Sequence, residues 1–123
     1  MGDYSTQNLQ IAIAKPTDGY QVIEFSGAMD KAGLTANKPA IENLVQSYSL
    51  NYLIFDMTRL DFINSESIGF LMSIHSHLVK SGKKLVVISA KPNVKDVFQV
   101  IGLFDVIPYF DSLKQFQDNG AKV

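Results

Sequence analysis

Two short unbroken apolar runs, Tyr52-Leu53-Ile54-Phe55 and Leu85-Val86-Val87-Ile88, constrain this chain more than any other feature. A strand with apolar residues at every position has both faces covered, as in the interior of a parallel sheet. Helical periodicity fills the sequence around these runs. Ile41, Leu44, Val45 and Tyr48 stand at i, i+3, i+4 and i+7, the apolar stripe of a packed helix. A second helix is expected from the Asn64-Ser65 region to about Lys80, where Ser81-Gly82 stops it. Strands alternating with helices in this way predict parallel pairing through right-handed crossovers.

The beginning of the chain follows a different rule. Leu9 to Ala14 and Tyr20 to Ser26 alternate apolar and polar, and Pro16-Thr17-Asp18-Gly19 between them carries turn chemistry. An antiparallel hairpin is expected there, making the sheet mixed. Gly27 to Gly33 is expected to break the second strand, with a helix starting near Asn37 and Pro39 in its first turn. Asp56 is expected to end the first buried strand. Further on, Asn93 is a candidate N-cap with Asp96 in box spacing, and Val94, Val97, Phe98 and Ile101 form the apolar face before Gly102. Val106 to Phe110 suits a last strand, and Asp111 a cap for a last helix carrying Leu113 and Phe116. The predicted order is β-β-α-β-α-β-α-β-α.

With 123 residues, 46% hydrophobic and 19% charged, the chain suits one globular domain over residues 1–123, with an ordered core from about Leu9 to Gln117. The net charge of −1 is spread along the chain without a basic block, so nucleic acid is not expected as a partner. The absence of cysteine excludes disulfides, thiolate metal sites and thiol nucleophiles. Met1 to Gln10 lacks the pattern of a signal peptide, and no apolar run approaches a membrane span; a cytoplasmic protein without membrane insertion is expected.

Catalytic signatures are missing. No phosphate loop, dinucleotide fingerprint or nucleophile elbow is present. His75 and His77, the only histidines, are two residues apart on a helix and point to different sides, so they cannot chelate one metal. His75 shares a face with Ile68, Leu71, Met72 and Val79 and reads as a satisfied boundary residue. No catalytic residue, metal or cofactor is expected. Asn64-Ser65-Glu66-Ser67-Ile68-Gly69 is more informative, because it places capping residues and a carboxylate at a helix start. Taken alone, it reads as a cap plus about 0.3–1 kcal/mol of dipole stabilisation from Glu66.

The wider pattern resembles the STAS domain of bacterial anti-sigma factor antagonists. The resemblance runs from about Leu9 to Phe116. It is carried by Gly27-Ala28-Met29-Asp30, by Leu53-Ile54-Phe55-Asp56-Met57-Thr58 and by the stretch from Leu60 to Gly69. Gly82-Lys83-Lys84-Leu85, with Val97-Phe98 and Gly102-Leu103, adds to it. It implies a STAS-like mixed α/β sheet with helices mainly on one face, and a regulatory protein-binding module in place of an enzyme. In the family pattern Asp-Ser-Ser/Thr-Gly-Leu-Gly, the second hydroxyl residue is phosphorylated by a partner kinase. Asn64 then stands for the Asp, Ser65 for the first Ser, Glu66 for the phospho-acceptor and Ser67 for the first Gly.

A glutamate at that position implies one of three things. Glu66 mimics the modified state, or a partner shaped for a carboxylate reads it, or the switch has moved to Ser65 or Ser67. A constitutive interaction, independent of phosphorylation, is the expectation. The surface would include Asp30, Asn64, Ser65, Glu66, Ser67 and Phe70. Asp30 also suits a solvated loop, and Ser65 and Ser67 also suit pure capping. Phe70 is a patch residue if exposed and a core residue if a helix covers it; Ile74 is expected in the core. The partner expected from the resemblance is a protein such as a GHKL-type anti-sigma factor kinase. The alternatives are a cytosolic subunit of a lipid or anion transporter and a small-ligand or nucleotide sensor, the latter disfavoured by the charge of Glu66. The edge strand of the hairpin is a candidate homodimer contact.

Overall fold

The computed structural model describes residues 9–120. Five strands form one sheet in the order of the chain: β1 (Gln10–Ile13), β2 (Tyr20–Met29), β3 (Tyr52–Ile63), β4 (Lys84–Ile88) and β5 (Tyr109–Phe110). β1 and β2 are antiparallel, and β2 through β5 are parallel. Four helices connect and close the fold: α1 (Lys31–Gln46), α2 (Ser65–Lys80), α3 (Pro92–Val100) and α4 (Leu113–Asn119). A 3₁₀ turn, Leu103–Asp105, follows α3. The mixed α/β class and the element order are those expected from the sequence.

Alternation along the strands builds two apolar layers. Ile23, Phe25, Leu53, Phe55, Leu85 and Val87 point to one face, where Ile41 and Val45 of α1, Leu71 and Leu78 of α2, and Val94 and Phe98 of α3 cover them. Ile54, Val86 and Ile88 point to the other face, where Phe116 of α4 packs beside Tyr20. Three helices thus share one face and α4 takes the other. Both apolar runs are sandwiched, as strands without a polar face require.

Several local expectations are corrected. β2 does not stop at Ser26 but continues to Met29, with register irregularities between Glu24 and Ser26 and between Gly27 and Ala28. Asp56 does not end β3, which runs on to Ile63; the Asp56 carboxylate accepts from the Thr58 N–H at 2.9 Å and hydroxyl at 2.6 Å within the strand. α1 begins at Lys31, not Asn37, so Pro39 lies in mid-helix on an exposed position, where water can serve the carbonyl its ring leaves unpaired. Asn93 does not cap α3. Lys91 holds that position, Pro92 opens the helix, and the Asn93 amide crosses to donate to the Asp61 carbonyl at 2.9 Å. β5 is two residues long, not five, and Ser112 instead of Asp111 caps α4, accepting from the Gln115 N–H at 3.0 Å. Asp111 instead pairs with Lys95 at 3.0 Å, and this hydrogen bond holds its carboxyl below the usual range.

Among the described residues no helix is long and apolar enough to cross a membrane.

Candidate functional site

The carboxyl ends of β2 and β3 are in register, Met29 opposite Ile63. The next residue on each strand is a helix N-cap, so the starts of α1 and α2 lie side by side. Asp30 accepts from the Gly33 N–H at 2.8 Å, and Asn64 accepts from the Ser67 N–H, also at 2.8 Å. Each satisfies one orphan donor of its helix's first turn. Of the two readings of Asp30, the solvated loop residue is therefore corrected: it is a capping residue, half-buried between strand and helix.

One carbonyl joins the two starts. The Met29 oxygen accepts the Asn64 N–H at 3.2 Å and the Ser67 hydroxyl at 2.8 Å. Ser67 is fully buried there. Its side chain thus fastens the first turn of α2 to the last residue of β2, a bond that a glycine at this position cannot make. Nothing in the local sequence announces the contact, since Met29 and Ser67 are far apart in the chain and meet only through the parallel register.

Ser65 and Glu66 occupy the first two positions of α2, and both are exposed. The Glu66 carboxylate stands in the helix's first turn, where the positive end of the dipole favours it. Phe70, one turn further on, is buried at 6% exposure and belongs to the core. The Lys38 ammonium of α1 lies over its ring, 5.8 Å from the centroid, which shows α1 as the covering helix. Ile74 is buried as expected. Of the six residues expected to form the surface, the structure brings Asp30, Asn64, Ser65 and Glu66 together at the accessible edge. It places Ser67 and Phe70 beneath them.

Two neighbours were not anticipated. Phe62, two residues before the cap, is 50% exposed. Asp61 pairs with Lys91 at the start of α3, which ties a third helix to the same edge. The strand-end position of Phe62, opposite in parity to buried Ile63, was the signal available for it.

His75 lies half-buried within α2, but its Nδ1 is buried without a hydrogen-bond partner among the described residues, so it is not the satisfied residue expected. His77 is exposed on another side of α2, lining a shallow groove against Glu42 and Gln46 of α1. Among the described residues no group of three His, Asp or Glu side chains is placed to hold a metal ion.

A mixed sheet whose parallel strands deliver two capped helix starts to one edge is the frame of this fold, and comparison with known proteins identifies the family that shares it. The chain belongs to the STAS domain family, which it matches over residues 12–116. It is 21% identical over 105 residues to the anti-sigma F factor antagonist of Paenibacillus polymyxa, covering 85% of this chain and 89% of that one. Its fold is that of an anti-sigma factor antagonist from Mycobacterium paratuberculosis, with a TM-score of 0.79 at 22% identity, over 95% of each chain. It is also that of SpoIIAA, solved in two forms. The unphosphorylated form superimposes with a TM-score of 0.75 at 18% identity, over 93% of this chain and 98% of that one. The phosphorylated Bacillus form gives 0.69 at 18% identity, over 90% and 99%.

Proposed function

We propose that this chain is a cytoplasmic regulatory module of the anti-sigma factor antagonist type, binding a protein partner through the paired starts of α1 and α2 without phosphorylation at the usual position. It acts by association, not by turnover. The observation that carries the reading is Glu66, an exposed carboxylate in the first turn of α2, where the family pattern has its phospho-acceptor. A phosphoserine brings about −1.5 to −2 charges, and a glutamate brings one fixed negative charge in a smaller planar group. A partner reading Glu66 therefore meets the same charge at all times.

The neighbouring serines differ in what they can offer. Ser67 is buried with its hydroxyl already donated, so a kinase would have to unfold the first turn of α2 to reach it. Ser65 is exposed and is the accessible hydroxyl of that turn. Domain-wide, the reading takes residues 1–123 as one unit, supported by the family match over most of that length.

The test is capture from the protein's own cells with wild-type, Glu66→Gln and Glu66→Ser baits. Removal of the charge is expected to weaken capture of a GHKL-type kinase partner about tenfold. Equal capture by all three baits would contradict a carboxylate-reading partner, and recovery of an ATP-driven transporter would favour the transporter-subunit reading.

A further inference from the structure

One surface remains that the helix-start site does not use. Val97, Val100 and Ile101 of the α3 segment stand at i, i+3 and i+4, so they form one strip, and they are 38%, 86% and 51% exposed. Of the four residues expected on the apolar face, only Val94 and Phe98 take the core side, so Val97 and Ile101 are not needed to close the fold. Val106, a few residues further, is 46% exposed as well. Single exposed valines are ordinary, whereas a helical strip of large apolar side chains marks an interaction surface.

The charges beside the strip are unbalanced. Asp96 lies four residues before Val100 on the same side of the helix and is exposed. Asp105 folds back over the helix end, its Oδ2 only 3.4 Å from where a Cβ on Gly102 would stand. That is the negative pole of α3, where a carboxylate is unfavourable and a cation is favoured. The last turn of α3 carries no basic residue. Lys91 and Lys95 are engaged elsewhere, with Asp61 and Asp111, and neither Asp96 nor Asp105 is in an ion pair among the described residues.

We propose that this strip is a second protein-docking surface, separate from the Glu66 site. Its occupant is an amphipathic segment of a partner protein that lays apolar side chains on Val97, Val100 and Ile101 and sets a Lys or Arg over the end of α3 beside Asp105. The charge pattern selects this occupant over two others. A second copy docked about a two-fold axis would set the same acidic-rimmed patch against itself, with no basic residue in the last turn of α3 to pair its carboxylates. An anionic membrane surface would be repelled by the same carboxylates.

The test is a methyl NMR titration of the full chain with a synthetic amphipathic helical peptide, leucines at i, i+3, i+4 and i+7 and arginines along its flank. Its counterpart has glutamates in place of the arginines. The basic peptide is expected to shift the methyls of Val97, Val100 and Ile101. Val100→Asp, at a position too exposed to disturb folding, should lower its affinity about tenfold, and Asp105→Asn should lower it less. Equal affinity for both peptides, or unchanged affinity in Val100→Asp, would overturn the proposal. So would a dimer in light scattering that Val100→Asp dissolves, or co-sedimentation of the wild-type chain with phosphatidylserine vesicles.

Discussion

Asp30 and Asn64 hold the same place on neighbouring strands and cap α1 and α2 with the same bond, side-chain oxygen to the N–H three residues on, at 2.8 Å in both. The helices then diverge. In both, the first two residues are exposed and the third is buried, but the buried residue differs: a Cβ on Gly33 would stand 2.4 Å from the Ala28 carbonyl oxygen and 2.7 Å from the Leu9 Cβ. On α2 there is room for a side chain at that place, and Ser67 turns in to donate to the Met29 carbonyl, while Ser65 and Glu66 stand in solvent as Lys31 and Ala32 do on α1. One capping device thus seats bare backbone against β2 on α1 and a hydrogen-bonding side chain on α2. The Met29 oxygen ties the start of α2 to the residue that precedes the α1 cap.

Breaking the packed start should have the largest effect. Gly33→Ala forces a methyl against backbone that cannot retreat, and it should cost about 3 kcal/mol or more in chemical denaturation. At Gly69 a Cβ would meet nothing within 4 Å, so Gly69→Ala on the second turn of α2 should be neutral or slightly stabilising. Equal losses at the two glycines would erase the distinction between the starts.

The coupling between them is next in size. Ser67→Ala removes a buried hydrogen bond and leaves the Met29 oxygen with the Asn64 N–H alone. A loss of about 1–3 kcal/mol is expected, together with faster amide exchange in the first turns of both helices. Faster exchange in α2 only would show that the starts are independent. Removing either cap, as Asp30→Ala or Asn64→Ala, should cost about 1 kcal/mol. Smallest of all, Glu66→Gln at an exposed position should change stability by only about 0.3 kcal/mol, since only a dipole interaction is lost. If Glu66→Gln destabilises the chain as much as a lost cap does, the carboxylate is structural and the start of α2 is not a presentation surface.

Sequence patterns carried the architecture well wherever periodicity was local. The two buried runs, the α2 span ending at Ser81-Gly82 and the hairpin turn at Asp18-Gly19 all stand as expected. Failures occurred where tertiary contact overrode local signals. Gly27 and Gly33 read as strand and helix breakers, yet β2 passes through Gly27 at a register irregularity, and Gly33 is in the first turn of α1 because that turn approaches β2 too closely for a side chain. Asn93 has the composition of a cap, but its amide is committed to a carbonyl on β3. Within the site, Asn64, Ser65 and Glu66 were legible because a helix start is written in consecutive residues. The burial of Ser67 and Phe70 was not, since it depends on Met29 and on α1 lying alongside.

The central claim is that Glu66 fixes the charge of this surface without a kinase. The most direct measurement is the intact mass of the protein isolated from its own cells, compared before and after phosphatase treatment, with partner affinity measured on both samples. The account predicts one unmodified mass and identical affinities. A stoichiometric phosphate on Ser65 whose removal changes the affinity would contradict it.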